Sequence, residues 1–151
     1  MELIFLEKRL LMEKKKFKNL KLYNYSSLEI DKLKKKFDLI ICGFFLYQLD
    51  RVEIFNQFNL ILKCLKKDGY LLIHDFDPLF KHSNKNVHSK KNIISYKSNY
   101  ANFLEESGLF KHIYRNRYVG KTNKKVKYKS QERSLNLFQK IEFDDVYPYN
   151  L

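Results

Sequence analysis

Tryptophan is absent from this sequence, alanine occurs once, at Ala101, and glycine and proline number only four and two. Two prolines cannot furnish a Pro-rich linker, and no repeat or shift in composition divides the chain, so residues 1–151 read as one domain. Cysteine is confined to Cys42 and Cys64. Two thiols make no disulfide framework, so both read as buried free thiols in a reducing cytoplasm, and no metal site is expected. No apolar run reaches the ~20 residues that a membrane span needs, and Met1–Leu11 carries two acids, unlike a secretory leader. The expectation is a cytoplasmic protein without a membrane partner.

What is present is apolar and basic. A hydrophobic content of 44% with 16% aromatics excludes a disordered chain. The net charge of +13 points toward nucleic acid as a partner, but the residues weaken that reading. Lys, Asn, Ile, Phe and Tyr abound while alanine and glycine are scarce, the skew an A/T-rich genome imposes. The lysines are scattered, clustering only at Lys14–Lys16, Lys34–Lys36 and Lys121–Lys129. A solvated basic surface accounts for them, and nucleic acid is not favoured.

The organising stretch is Phe37–Pro78. Phe37–Phe45 is a nearly unbroken apolar run, the pattern of a strand buried on both faces. Asp50 and Glu53 have the spacing of a capping box. Phe55, Phe58, Ile61, Leu62 and Leu65 then recur at helical intervals as one apolar stripe. Lys63, Lys66 and Lys67 load the last turn, and Gly69 suits the left-handed cap. Tyr70–Ile73 reads as a second buried strand, closed by Asp75-Phe76-Asp77-Pro78. Two such strands joined by one helix form a right-handed parallel crossover. Ligands of open α/β sheets sit beyond the carboxyl ends of such strands.

Around this unit, Leu3–Leu6 reads as a strand, Lys8–Phe17 as a helix and Leu20–Tyr25 as a strand. Leu28–Lys36 reads as a short helix with Ile30 and Leu33 facing inward. Leu79–Asn92 is polar and aperiodic, a long loop of the kind that is more often functional than idle. Ser95–Ser107 reads as a helix stopped by Gly108. Leu109–Val119 and Ser134–Phe143 read as an antiparallel pair joined by the basic segment Gly120–Lys129. The expected fold is α/β, a mostly parallel sheet with an antiparallel C-terminal hairpin.

That order, with FDLIICGFFLYQL, LKCLKKDGYLLIHDFDP and FLEESGLFKHIYRNRYV, resembles the class I S-adenosylmethionine-dependent methyltransferases. Asp68-Gly69 stands where the family has Gly-Gly, and Ser107-Gly108-Leu109 where it has a Gly-Phe turn. The likeness covers most of Leu3–Phe143. It is nearest to an uncharacterised bacterial branch, found among surface-glycan genes, that combines D-F-D-P with S-Y-K, here Asp75–Pro78 and Ser95–Lys97. The resemblance implies a Rossmann-like sheet, S-adenosylmethionine as cofactor, and methyl transfer to a small-molecule or glycan-related acceptor. No Gly-x-Gly occurs anywhere in the sequence, and Leu3–Leu6 looks like the family's second strand. The chain therefore reads as N-terminally truncated, without the first strand and glycine loop, and as binding the cofactor poorly alone. Loss of that central strand would expose the edges of two neighbours. Two other readings stay open: a nucleic-acid methyltransferase or RNA-binding domain, and a non-catalytic remnant serving as a partner subunit.

Carried over residue by residue, the resemblance places Glu7 against the ribose hydroxyls and Ser26, Ser27 and Leu28 beside the adenine. It places Gly43, Phe44 and Phe45 beside the methyl donor. Asp75, Asp77 and His88 are the catalytic candidates, on a segment running from Asp75 to Tyr100 that would form the acceptor side. His74, His82 or His88 could supply a general base, because imidazole titrates near neutrality. Tyr96, Lys97 and Tyr100 read as helix packing. Methyl transfer needs chiefly alignment of donor and acceptor, so the lack of an obvious nucleophile does not count against it.

Overall fold

A computed structural model of the chain describes residues 3–6, 23, 25–85, 94–119 and 132–142. Strands β1 (Leu3–Leu6), β2 (Phe37–Gly43) and β3 (Leu65–Phe76) run parallel, in that order across one sheet. After β3 the sheet continues antiparallel through β7 (Glu132–Lys140) to β6 (Phe110–Val119) at the far edge. A separate two-stranded ladder pairs β4 (His82–Lys85) with β5 (Ile94–Lys97). Among the described residues there are also α1 (Glu53–Cys64), α2 (Tyr100–Glu106) and the 3-10 turns Ser27–Leu33 and Leu46–Gln48.

Alternation along the central strands explains the layering. Ile40 and Cys42 on β2, Leu71 and Ile73 on β3 and Phe138 on β7 are fully enclosed. They form one cluster with Ile30, Ile54, Phe58, Ile61 and Leu104 from the helical segments. Each such side chain removed from water contributes about 1.5–3 kcal/mol. Their neighbours Leu39, Ile41, Leu72 and Leu137, pointing to the other face, are only half-buried.

The expected strands Leu39–Phe45 and Tyr70–His74 do pair in parallel, and the C-terminal strands do form a hairpin. Ile30 is buried and Leu33 packs on the core, as the spacing predicts. Gly108 ends α2 in the left-handed region, at φ 67°. Helix Lys8–Phe17 lies outside the described residues. Tyr23 and Tyr25, the described part of the expected strand Leu20–Tyr25, belong to no strand.

Five expectations are corrected. First, β2 has no bare edge where a central strand was expected to be missing. Leu3–Leu6 pairs with it residue for residue, Leu3 opposite Leu39 to Leu6 opposite Cys42, which satisfies backbone groups that would otherwise stay open.

Second, α1 faces the core through Ile54, Gln57, Phe58, Ile61 and Cys64, while Phe55 is 61% exposed. Two phases of the same period fit this segment. The choice is made by the Gln57 amide, which donates to the Ser27 carbonyl at 3.2 Å and draws a polar side chain inward. Phe55 rests at the rim, edge-on to Phe103 at 5.1 Å.

Third, the Asp50–Glu53 box is not formed. Asp50 accepts from the Val52 amide at 3.1 Å, whereas a complete box closes at Ser26 and Glu29.

Fourth, α1 ends at Cys64 and Gly69 is not its left-handed cap. Leu65 is already extended, and Asp68 takes the positive φ, 58°. The register on β2 advances from Phe37 to Leu39 while β3 advances from Leu65 to Tyr70, so the intervening residues bulge out. Gly69 answers to space: a Cβ there would lie 3.0 Å from the Lys66 carbonyl and 3.2 Å from that of Phe37.

Fifth, Ser95–Lys97 belongs to a strand and not to a helix, and part of the expected loop, His82–Lys85, is its partner. Asn99 sets the true helix start, its side-chain oxygen accepting from Ala101 and Asn102 at 3.0 and 3.2 Å.

Candidate functional site

The carboxyl ends of β2 and β3 meet at Gly43 and His74, which are register partners. Beyond Gly43 the chain turns through Phe44, whose φ of 48° lies in the left-handed region. The Phe44 amide donates to the His74 carbonyl at 2.8 Å, which holds that turn against β3. Among the described residues, a Cβ added at Gly43 would meet nothing within 4 Å apart from its chain neighbours, so its face is open next to its register partner His74. His74 lies edge-on to Phe44, with centroids 4.2 Å apart, and its Nε2 hydrogen-bonds the Tyr118 hydroxyl. Burial, then the nearby Arg133 charge, hold its pKa below the ordinary 6.5. The imidazole is therefore neutral at pH 7 and able to accept a proton.

Phe76 extends the aromatic floor. Its ring meets Tyr47 edge-on at 4.9 Å and Phe44 at 5.9 Å. The Lys97 ammonium lies 4.3 Å from its centroid, and the Arg133 guanidinium lies 5.7 Å from it and 5.0 Å from that of Phe44. Arg51 braces the loop after β2. It donates to the carbonyls of Leu46 and Leu49 at 3.1 and 2.6 Å and to the Tyr100 hydroxyl at 3.0 Å. Its guanidinium also sits 4.4 Å from the Tyr96 ring centroid.

The two sequence-predicted aspartates are both enclosed. Asp75, 2% exposed, accepts from the Leu46 amide at 3.0 Å and from its neighbour Phe76 at 2.7 Å. Burial pushes its pKa up to about 7, against the pull of the amides of Phe76, Tyr47 and Leu46 and of Arg51. Asp77, 1% exposed, is held by Arg115 at 2.8 Å and Arg117 at 3.1 Å, and its amide donates to Glu132 at 2.9 Å. Asp77 thus ties the end of β3 to the β6–β7 hairpin.

Phe45 packs into the core beside the site. Ser26, Ser27 and Leu28 form a rigid helix start: the Ser26 hydroxyl accepts from Leu28 at 3.3 Å, and the Ser26 amide donates to Glu29 at 3.2 Å. Glu7 and His88 lie outside the described residues. Gly43, Phe44, Phe45, Asp75 and Asp77 are thus gathered at one end of the sheet, whereas Ser26–Leu28 packs against α1. A shallow apolar hollow lined by Asp38, Leu39, Tyr70 and Leu137 lies toward the other end of the strands.

Sequence reasoning missed Arg133 and Tyr118, and read Lys97 as helix packing. The alternation of Ile94-Ser95-Tyr96-Lys97, exposed then buried, was a signal for Lys97. Nothing local marks Arg133, which reaches the site because it pairs with Phe76 across 57 positions of chain.

A methyltransferase domain profile matches residues 7–140. The chain belongs to the methyltransferase domain family. Among solved structures it is similar to the N-methyltransferase NodS from Bradyrhizobium japonicum, in complex with S-adenosyl-L-homocysteine. The identity is 15% and the TM-score 0.60, over 89% of this chain and 61% of that one. It is similar to the 1,6-didemethyltoxoflavin-N1-methyltransferase of Burkholderia thailandensis at 13% identity and TM-score 0.63, over 87% and 55% of the two chains. A third, an S-adenosylmethionine-dependent methyltransferase from Clostridium acetobutylicum, gives 15% and 0.58 over 93% and 75%. At these identities the likeness shows the fold, an α/β Rossmann-like methyltransferase sheet. The chain spans 61% and 55% of the length of the first two. No curated protein matches it.

Within this methyltransferase domain, no three His, Cys, Asp or Glu side chains among the described residues group as metal ligands would. No described helix is long and apolar enough to cross a membrane.

Proposed function

We propose that the chain serves S-adenosylmethionine-dependent methyl transfer to a small-molecule or glycan-related acceptor, at the strand ends around Gly43 and His74. One observation supports this reading: no described residue beyond its chain neighbours comes within 4 Å of a Cβ at Gly43, whose register partner is the neutral imidazole of His74, at the strand ends where such folds put ligands. The cofactor, when bound, supplies an electrophilic methyl group on a sulfonium. By the family resemblance, Gly43, Phe44 and Phe45 would border it, Ser26, Ser27 and Leu28 would border the adenine, and Glu7 would hold the ribose. The fit is partial. The open cradle at Gly43 suits the methyl-bearing end, while the sequence holds no Gly-x-Gly for the methionine end.

His74 accepts the acceptor's proton, with Tyr118 orienting its ring. Asp75 positions the turn after β2, and Asp77 and His88 lie on the acceptor-side segment. Titrating the chain with S-adenosylhomocysteine while following backbone amides by NMR tests the reading. Shifts are expected at Gly43, Phe44 and Ser26–Leu28. Gly43→Ala should fold as stably as the natural chain, since its Cβ meets no described residue beyond its chain neighbours, yet weaken binding about tenfold, about 1.4 kcal/mol. An unchanged response in that variant would place the cofactor elsewhere.

A further inference from the structure

Lys97 is only 5% exposed, yet among the described residues no carboxylate pairs with it. Its ammonium contacts the Phe76 ring, and burial together with Arg133 pushes its pKa down. Arg133, half-buried, likewise lacks an acid among the described residues. Its guanidinium lies over Phe44 and Phe76, no described carboxylate pairs with it, and its Nε is buried without a hydrogen-bond partner. The acids at this end are already committed: Asp77 to Arg115 and Arg117, Glu132 to Arg117. Two cations gathered on one aromatic floor repel each other, and a buried ammonium without a counter-ion is costly. Replacing Lys97 by an apolar side chain of similar length would relieve that cost. Retaining it makes physical sense where a negative charge arrives from outside.

We infer that Lys97 and Arg133 form a receptor for an anionic oxygen group, a carboxylate or a phosphate, carried by the methyl acceptor. The two cations flank Phe44 and Phe76, and Phe44 lies against His74, the register partner of Gly43. An acceptor anchored there by its anion reaches toward the open space at Gly43. The planar fork of Arg133 offers paired donors to either anion. The inference rests on the methyl-transfer reading only in assigning the anion to the acceptor.

The test uses the 151-residue chain, titrated with inorganic phosphate and, separately, acetate, with sodium chloride holding ionic strength constant and amides followed by NMR. Saturable shifts are expected at Gly43, Phe44, Phe76 and Lys97, and the tighter of the two ions identifies the acceptor's group. Lys97→Met and Arg133→Met should each weaken binding at least tenfold, and Lys97→Met should also raise the melting temperature. A side chain that only packed would lower it. Absence of saturable shifts at these residues, or an affinity in either variant equal to that of the natural chain, overturns the inference. Displacement of the anion by S-adenosylhomocysteine would assign the site to the cofactor's carboxylate and overturn it as well. Anion binding without any response to S-adenosylhomocysteine would leave the receptor standing and remove the methyl-transfer reading.

Discussion

The Asp75 carboxylate accepts the Leu46 amide at 3.0 Å, joining the end of β3 to the first turn beyond β2. Its other oxygen accepts from Phe76, so both oxygens face N–H groups. An asparagine there would aim its NH2 at one of those donors. Asp75→Asn should therefore cost about 1–3 kcal/mol, although it removes a buried acid. Urea denaturation of the two chains near pH 3.8, where the Asp75 contribution is largest, measures the difference, and a neutral result there would mean that Leu46 is not held by this side chain.

The pH dependence of stability follows from the same group. Asp75 titrates at about 7 when folded, against an ordinary value of 3.8, so the native state holds the proton more tightly. Its contribution is complete below the unfolded value and is lost as pH rises through about 7. His74 works in the opposite sense, because its lowered pKa favours the folded state near neutrality and penalises it as pH falls. The difference between natural chain and Asp75→Asn should therefore shrink steadily between those two Asp75 values, as denaturation midpoints across that range would show. A constant gap would mean that Asp75 stays ionised.

Asp77 is buried while its arginines are 31% and 43% exposed. Removing the cations should hurt more than removing the anion. Arg115→Met with Arg117→Met strands a buried carboxylate and should cost about 3–5 kcal/mol. Asp77→Asn releases two arginines toward water and should cost less. Equal losses would show that the pairing energy is symmetric and the burial argument wrong.

The phase of α1 separates two phenylalanines three residues apart. Phe58→Ala should cost about 3–5 kcal/mol, because Phe58 is enclosed in the core. Phe55→Ala should change stability by about 1 kcal/mol or less, since the ring is mostly exposed and rests against Phe103 at the rim. Chemical denaturation would expose a reversed order at once.

The bulge at the start of β3 makes opposite demands on adjacent residues. Asp68 sits at φ 58°, so Asp68→Gly should stabilise by about 0.5–1 kcal/mol by relieving the left-handed backbone. Gly69→Ala should destabilise, since its Cβ would press on the carbonyls of Lys66 and Phe37. Thermal melts of the two variants should shift in opposite directions.

Strands β2 and β6, the Tyr70–Ile73 part of β3, the stop at Gly108 and the inward face of Ile30 and Leu33 were legible in the sequence. Each expresses a local rule: how often an apolar side chain must return to one face, or which residue tolerates a positive φ. Local rules say which side avoids water but not what waits there. The phase of α1 depended on the Ser27 carbonyl, 30 positions from Gln57. Ser95–Lys97 became a strand because His82–Lys85 was available to pair with it. The candidate site depended most on such distances. Asp77 meets Arg115 across 38 positions, and Arg133 reaches Phe76 only because β7 returns antiparallel beside β3. Charge in a sequence is a property of single residues, whereas its cost depends on what lies within a few ångströms, and that separation exists only after the sheet has closed.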